Sequence, residues 1–132
     1  AVWDNFDFTY RGKGIEVKSC AYHQAWAQKQ MSRITFSVRA SQGWDAKTNL
    51  VDKVAKRRAD IYVLCLFAEK DRGKLNPLKT EQWRFWVLST KFLNERKRSQ
   101  HSISLAALNK EVGPGVGFEE LKAEVDRCIN KP

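Results

Sequence analysis

The chain is poor in the residues that build metal clusters and disulfide frameworks. It has three cysteines, Cys20, Cys65 and Cys128, far apart, odd in number and without any C-x-x-C spacing. That excludes a paired disulfide scaffold and a cysteine-rich zinc module. The two histidines, His23 and His101, add no ligand pair at zinc spacing. Buried free thiols in a reducing cytosol are the economical reading. Long apolar stretches are missing too. The longest run, Ile61 to Ala68, falls far short of a membrane span. No signal peptide is visible, and the first residue is Ala rather than Met. No repeat and no low-complexity tract occurs. A soluble, cytoplasmic protein is the expectation.

What remains is a mixture of ordinary globular balance, with 42% hydrophobic and 30% charged residues among 132. Such a length suits one modest core. Charge is the outlier. Twenty-four Lys and Arg against fifteen Asp and Glu give a formal charge of +9. A surplus of this size on a small domain points to a polyanionic partner, nucleic acid foremost; a solvated basic surface is the plainer reading.

Hydropathy patterning gives the elements. In residues 3–10, Phe6, Phe8 and Tyr10 alternate with Asn5, Asp7 and Thr9, the period of a half-buried strand. The RGKG turn at 11–14 leads to a returning strand at 15–20, so the two form a hairpin. RITFSV at 33–38 is a third strand candidate. From Asp45 to Arg58, Leu50, Val51, Val54 and Ala55 recur at helical spacing while Lys53, Lys56 and Arg57 face away. The continuous apolar run at 60–68 reads as a strand buried on both faces, and WRFWVLST at 83–90 as a further strand. NERKRSQHS at 94–102 reads as a charged connector. Phe118, Leu121, Val125, Cys128 and Ile129 mark a terminal amphipathic helix after GPGVG. The order predicts an α/β fold, a mixed β-sheet flanked by helices.

The hairpin carries the chemistry. With Gly12 and Lys13 as its two-residue turn, Tyr10 pairs with Ile15, Thr9 with Glu16, Phe8 with Val17 and Asp7 with Lys18. Phe6, Phe8, Tyr10, Ile15 and Val17 then share one face, and Asp7, Thr9, Glu16 and Lys18 the other. Two carboxylates and an ammonium on a common face suit a divalent ion that keeps several waters and accepts phosphate oxygens. Such an ion makes a nucleophile of its water, and the lysine can stabilise charge as the bond breaks. The plainer reading of Glu16 and Lys18 is a solvated strand face with a weak ion pair.

Asp7, a turn, then Glu16-Val17-Lys18 on the return strand resembles the signature of the PD-(D/E)xK nuclease superfamily. The strand–strand–helix–strand order from residue 3 to 68 resembles its restriction-endonuclease-like core. The resemblance covers about half the chain. It implies a metal-dependent endonuclease that hydrolyses DNA phosphodiesters with Mg²⁺, Mn²⁺ serving as a substitute. It assigns metal binding to Asp7, Glu16 and the Val17 backbone, and assistance of the attacking water to Lys18. Gln24 matches the polar residue that follows the motif in some members. A prokaryotic restriction, defence or repair role and a homodimer also suit the family.

Two departures stand out. Asn5 and Phe6 precede Asp7 where the family has a proline. Residues 1–132 are read as one nuclease-like domain, a fragment whose upstream helix and strand belong to a longer chain. The rival expectations are a non-catalytic nucleic-acid-binding module with a degenerate nuclease fold, and a ribonuclease toxin domain acting on RNA.

Among other residues, Lys53, Lys56, Arg57 and Arg58 are candidates for tracking a phosphate backbone, or else a solvated helix face. Asp4 rivals Asp7, but its parity puts it on the apolar side. Asp60 is either a further carboxylate or a turn residue. Trp3, Trp26, Trp44, Trp83 and Trp86 could stack on bases, although packing is favoured for Trp83 and Trp86. His23 reads as a surface residue. RGKG lacks the spacing and the Ser/Thr of a phosphate loop.

Overall fold

The computed structural model describes residues 6–131 apart from 25, 27, 43, 46, 47, 49, 52 and 53. Strands β1 (Phe8–Tyr10) and β2 (Lys13–Ala21) form the expected antiparallel hairpin. Its turn is Arg11-Gly12, with φ of 51° and 79°. Two positive φ values give the turn whose twist suits a two-residue hairpin. Arg11 is a costly residue there, and distant contacts hold it. Its guanidinium donates to Asp126 at 3.1 Å and to Asn130 at 3.2 Å.

The register therefore differs from the one expected. Phe8 pairs with Ile15 and Tyr10 with Lys13, a slip of two residues. Side chains on a strand have a period of two, so the slip leaves every residue on its expected face. What changes is the level of Asp7, which moves from Lys18 to Glu16 and Val17.

Residues 22–60 link β2 to its parallel neighbour, and among the described ones are the short strands β3 (Thr35–Ser37), β4 (Trp44–Asp45) and β5 (Leu50–Val51). The described residues of 45–58 are not helical, which corrects the expected helix. β4 pairs with β5 as a hairpin, and Lys56 bridges Ser41. The reason is local. Thr48 lies in a turn, Val51 and Val54 are β-branched, and apolar recurrence over so short a window fits two strands around a turn as well as it fits a helix.

β6 (Ile61–Phe67) runs parallel to β2, and β7 (Trp83–Ser89) returns antiparallel to it, giving a mixed sheet of order β1-β2-β6-β7. All seven β6 residues are buried, as the apolar run requires of a strand covered on both faces. Beyond β7 lie α1 (Thr90–Glu95), β8 (Ser102–Ser104), α2 (Leu105–Glu111) and α3 (Phe118–Asn130). β8 pairs with β3 in a separate two-stranded sheet. The chain is a mixed α/β fold, a four-stranded mixed sheet flanked by helices. No helix among the described residues is long and apolar enough to cross a membrane.

Two cores follow from the alternation. On one face α3 sets Val125 against Ile15, Ile61, Val63, Cys65 and Phe85. On the other, Tyr62, Leu64, Leu66, Trp86 and Leu88 meet Phe36 of β3, Ile103 of β8, Leu93 of α1 and Leu108 of α2. Trp83 and Trp86 are packing residues. Trp86 is buried and donates its indole N–H to Gly113 O at 2.8 Å, and Trp83 donates to Pro77 O at 2.9 Å. Gly115, at φ 78°, lies under Trp86, where a Cβ would come within 2.8 Å of the ring.

Candidate active site on strand β2

Glu16 and Lys18 point to the face opposite α3, two residues apart on β2. Their charged groups meet, Lys18 Nζ to Glu16 Oε2, at 3.2 Å, with side chains 36% and 19% exposed. The neighbouring strand supplies buried Tyr62 beside Glu16 and buried Leu64 beside Lys18. The pair thus rests on an apolar floor while its outer side meets water. Burial raises the Tyr62 phenol above its ordinary value; the Arg57 cation pulls it back and the Glu16 charge adds to the rise.

Asp7 sits in the bend before β1. Its backbone N–H donates to Ile15 O at 2.9 Å, and its Oδ2 accepts from Val17 N–H at 2.7 Å. The carboxylate therefore lies at the strand edge, against the peptide unit between Glu16 and Lys18, rather than beside Lys18 as the expected register had it. N–H and C=O of one strand residue point to the same side. The Val17 carbonyl is therefore directed to the edge that Asp7 occupies.

Among the described residues, no three His, Cys, Asp or Glu side chains converge as a metal cluster. Mg²⁺ needs less, because one or two carboxylates suffice when waters fill the shell. Asp7 Oδ2 is engaged by Val17 N–H and Glu16 Oε2 by Lys18, so Asp7 Oδ1, Glu16 Oε1 and the Val17 carbonyl are the oxygens an ion would take. That donor set is all oxygen, the chemistry of a hard cation.

The other expected site residues lie elsewhere. Gln24 is at the far end of β2. Its amide donates to Ala21 O at 3.0 Å and to Ser32 Oγ at 3.3 Å, so it organises a loop. Asp60 accepts from Gly14 N–H at 2.8 Å and clamps the starts of β2 and β6, which is a turn role. His23 Nε2 contacts Lys70 O at 2.6 Å; a carbonyl only accepts, so this nitrogen carries the hydrogen. Asp4, Trp3 and Lys53 lie outside the described residues.

The basic helix face is corrected together with its helix. Arg57 turns inward. It donates to Val38 O at 2.7 Å, Asn94 Oδ1 at 2.6 Å and Gln100 Oε1 at 3.1 Å, and also to Gln100 O. Burial lowers its pKa, and nearby Arg96 acts in the same direction. Arg58 is half-buried and donates to Val54 O at 3.2 Å, while Lys56 is exposed. Lys56, Arg57 and Arg58 therefore do not share one exposed helical face. Sequence reasoning missed the Arg57 node because its partners lie 37 and 43 residues further on.

An apolar cavity of about 660 Å³ lies on the opposite face, between α3 and the hairpin, lined by Phe8, Ile15, Val17, Leu121 and Val125 among others. It opens away from Glu16 and Lys18. No protein-family model, curated protein or solved structure matches this chain.

Proposed function

We propose that the chain is a metal-dependent nuclease module of the PD-(D/E)xK type, which hydrolyses DNA phosphodiesters. One observation carries the reading. Glu16 and Lys18 form an ion pair from the residues on either side of Val17, and the Val17 N–H holds the Asp7 carboxylate. The antiparallel hairpin and the parallel β2–β6 pair support a restriction-endonuclease-like core. The helix expected between β2 and β6 is absent from the described residues and lends no support.

Asp7, Glu16 and the Val17 carbonyl would hold Mg²⁺, which when bound neutralises phosphate charge and acidifies a water. Glu16 fixes the Lys18 ammonium through their contact at 3.2 Å. Lys18 presents its remaining donors to the outer, wet side. There it hydrogen-bonds the attacking water or the oxygen on which negative charge grows. The rigid sheet holds both groups in place before substrate arrives, which spares the cost of ordering them during reaction.

A second reading, a non-catalytic nucleic-acid-binding module, draws on the lack of a third carboxylate near Asp7 and Glu16 among the described residues. Incubation with DNA and with RNA, in Mg²⁺ and in EDTA, separates the two. Cleavage of DNA in Mg²⁺ that vanishes in EDTA and in Glu16→Gln is the expected result. Binding without cleavage favours the second reading, and cleavage that survives in EDTA overturns the metal.

A further inference from the structure

Beyond Glu16 the chain is one-sided in charge. No Asp or Glu occurs from Val17 to Trp44, where Lys18, Lys29, Arg33 and Arg39 are the charged residues. Much of the exposed part of this stretch is the loop that follows β2. Trp26 is 65% exposed and Met31 45% exposed on it, beside exposed Lys29 and Arg33.

Hydrogen bonds join the described residues on either side of Trp26. Ser32 N–H donates to Tyr22 O at 2.8 Å and closes its neck. Gln24 N–H donates to Gln28 Oε1 at 2.8 Å, and the Gln24 and Gln28 amides converge on Ser32 Oγ at 3.3 and 2.9 Å. These bonds span the segment that carries Trp26. The segment after β6 is tied to the same loop. His23 Nε2 donates to Lys70 O at 2.6 Å, Arg72 donates to Gln28 Oε1 at 3.1 Å, and Lys70 Nζ sits 4.9 Å from the centre of the Tyr22 ring.

β2 and β6 are parallel, so both segments leave the same end of the sheet. Lys18 precedes Ala21, the last residue of β2, by three residues, about 10 Å at the rise of a strand. The result is an exposed indole on a loop that carries Lys29 and Arg33 and is tied to the segment carrying Lys70 and Arg72, where Glu69 and Asp71 are the acids.

We infer that this surface docks a nucleic-acid strand, with Trp26 stacking on an unpaired base and the four cations following the phosphates. A flat π-surface stacks on any base, and an excess of cations, Lys29, Arg33, Lys70 and Arg72 against Glu69 and Asp71, admits a polyanion. This surface differs from the 53–58 segment assigned from sequence, and its binding does not depend on whether Glu16 and Lys18 cleave.

The test is equilibrium binding of a labelled 20-nucleotide thymidine homopolymer, and of a duplex of equal length, to the whole chain in EDTA, where no metal-dependent cut occurs. Trp26→Ala should weaken binding to the single strand by about ten-fold or more, and binding to the duplex by less. The Lys29→Ala/Arg33→Ala double variant should flatten the log-log salt dependence by roughly 0.7 for each phosphate it no longer neutralises. Trp26 is exposed, so an unchanged thermal unfolding curve should accompany its loss of affinity. Unchanged single-strand affinity in Trp26→Ala, or an equal loss on single strand and duplex, overturns the stacking site. A parent chain that binds vesicles of anionic phospholipid but no oligonucleotide overturns the partner. Cleavage plays no part in these measurements, so their failure leaves the nuclease reading to its own assay.

Discussion

Asp7 and Val17 are joined across the hairpin by a hydrogen bond of 2.7 Å, from the Val17 backbone N–H to the Asp7 carboxylate. The bond brings a charged group to the peptide unit between Glu16 and Lys18. It exists because the hairpin turns at Arg11-Gly12, not one residue later. A tight turn whose Arg11 is anchored to α3 thus sets the level of a candidate metal ligand.

If Asp7 and Glu16 share an ion, folding and metal binding are linked, because only the native hairpin presents both carboxylates together. Mg²⁺ at ten times its dissociation constant adds about 1.4 kcal/mol, a rise in Tm of roughly 3–5 °C for a chain of this size. Differential scanning fluorimetry should show that rise in the parent and none in Glu16→Gln or Asp7→Asn. A rise that persists in Glu16→Gln rules this ligand set out.

Arg57 should be a folding residue. It bridges Val38, Asn94 and Gln100, and so ties the crossover to α1 and to the turn before β8. Arg57→Ala leaves those acceptors without their shared donor and should cost about 2–3 kcal/mol. Arg57→Lys should recover less than half, since an ammonium cannot span the same fork. Lys56→Ala, at an exposed side chain, should stay within about 0.5 kcal/mol of the parent. Urea denaturation decides, and equal stability of the Ala variants at 56 and 57 would contradict the assignment.

The legible parts of the fold were those written in local pattern. The run from Ile61 to Phe67 announced a strand covered on both faces, and alternation put Glu16 and Lys18 on one face of β2. The register was not legible, because Arg11 takes a left-handed conformation that Asp126 stabilises from 115 residues away. α1, β8 and α2 are each seven residues or fewer, too short to establish a period. Their signals were single serines. Ser89 accepts from Phe92 N–H at 3.0 Å and Ser104 from Ala107 N–H at 3.1 Å, each capping a helix in or beside the stretch read as strand and charged connector. The role of Arg57 was hidden by the same non-locality.

Alkaline pH should destabilise the chain through Cys65. Burial pushes this thiol up to about 11 from an ordinary 9, with a Ser19 hydrogen bond opposing it. Between those values the unfolded thiol has lost its proton and the native one keeps it. The native state then binds more protons, so stability falls as pH rises, by about 2–3 kcal/mol across the window. The Tyr62 phenol, also raised by burial, adds a loss of the same sign at higher pH. Urea unfolding at pH 8 and pH 10.5 should show a smaller difference in Cys65→Ala than in the parent. Equal differences would mean that other groups govern the alkaline limb.

Lys18 separates the two meanings of the Glu16–Lys18 contact. As a structural ion pair with a third of the lysine side chain exposed, it contributes under about 1 kcal/mol. Lys18→Ala should therefore leave the fold intact, and the metal-induced rise in Tm as well, because the oxygens that take the ion belong to Asp7, Glu16 and Val17. Affinity for DNA should change little, because only one cation of the twenty-four is removed. The rate should not survive. Removing one group that stabilises developing charge or positions the water costs about 10²-fold or more. Lys18→Arg should restore the charge but only part of the rate, since a planar guanidinium does not take the compact position of an ammonium. Single-turnover cleavage with saturating enzyme isolates the chemical step from binding. Equal rates in the parent and Lys18→Ala would reduce the pair to a surface contact and remove the lysine from the mechanism.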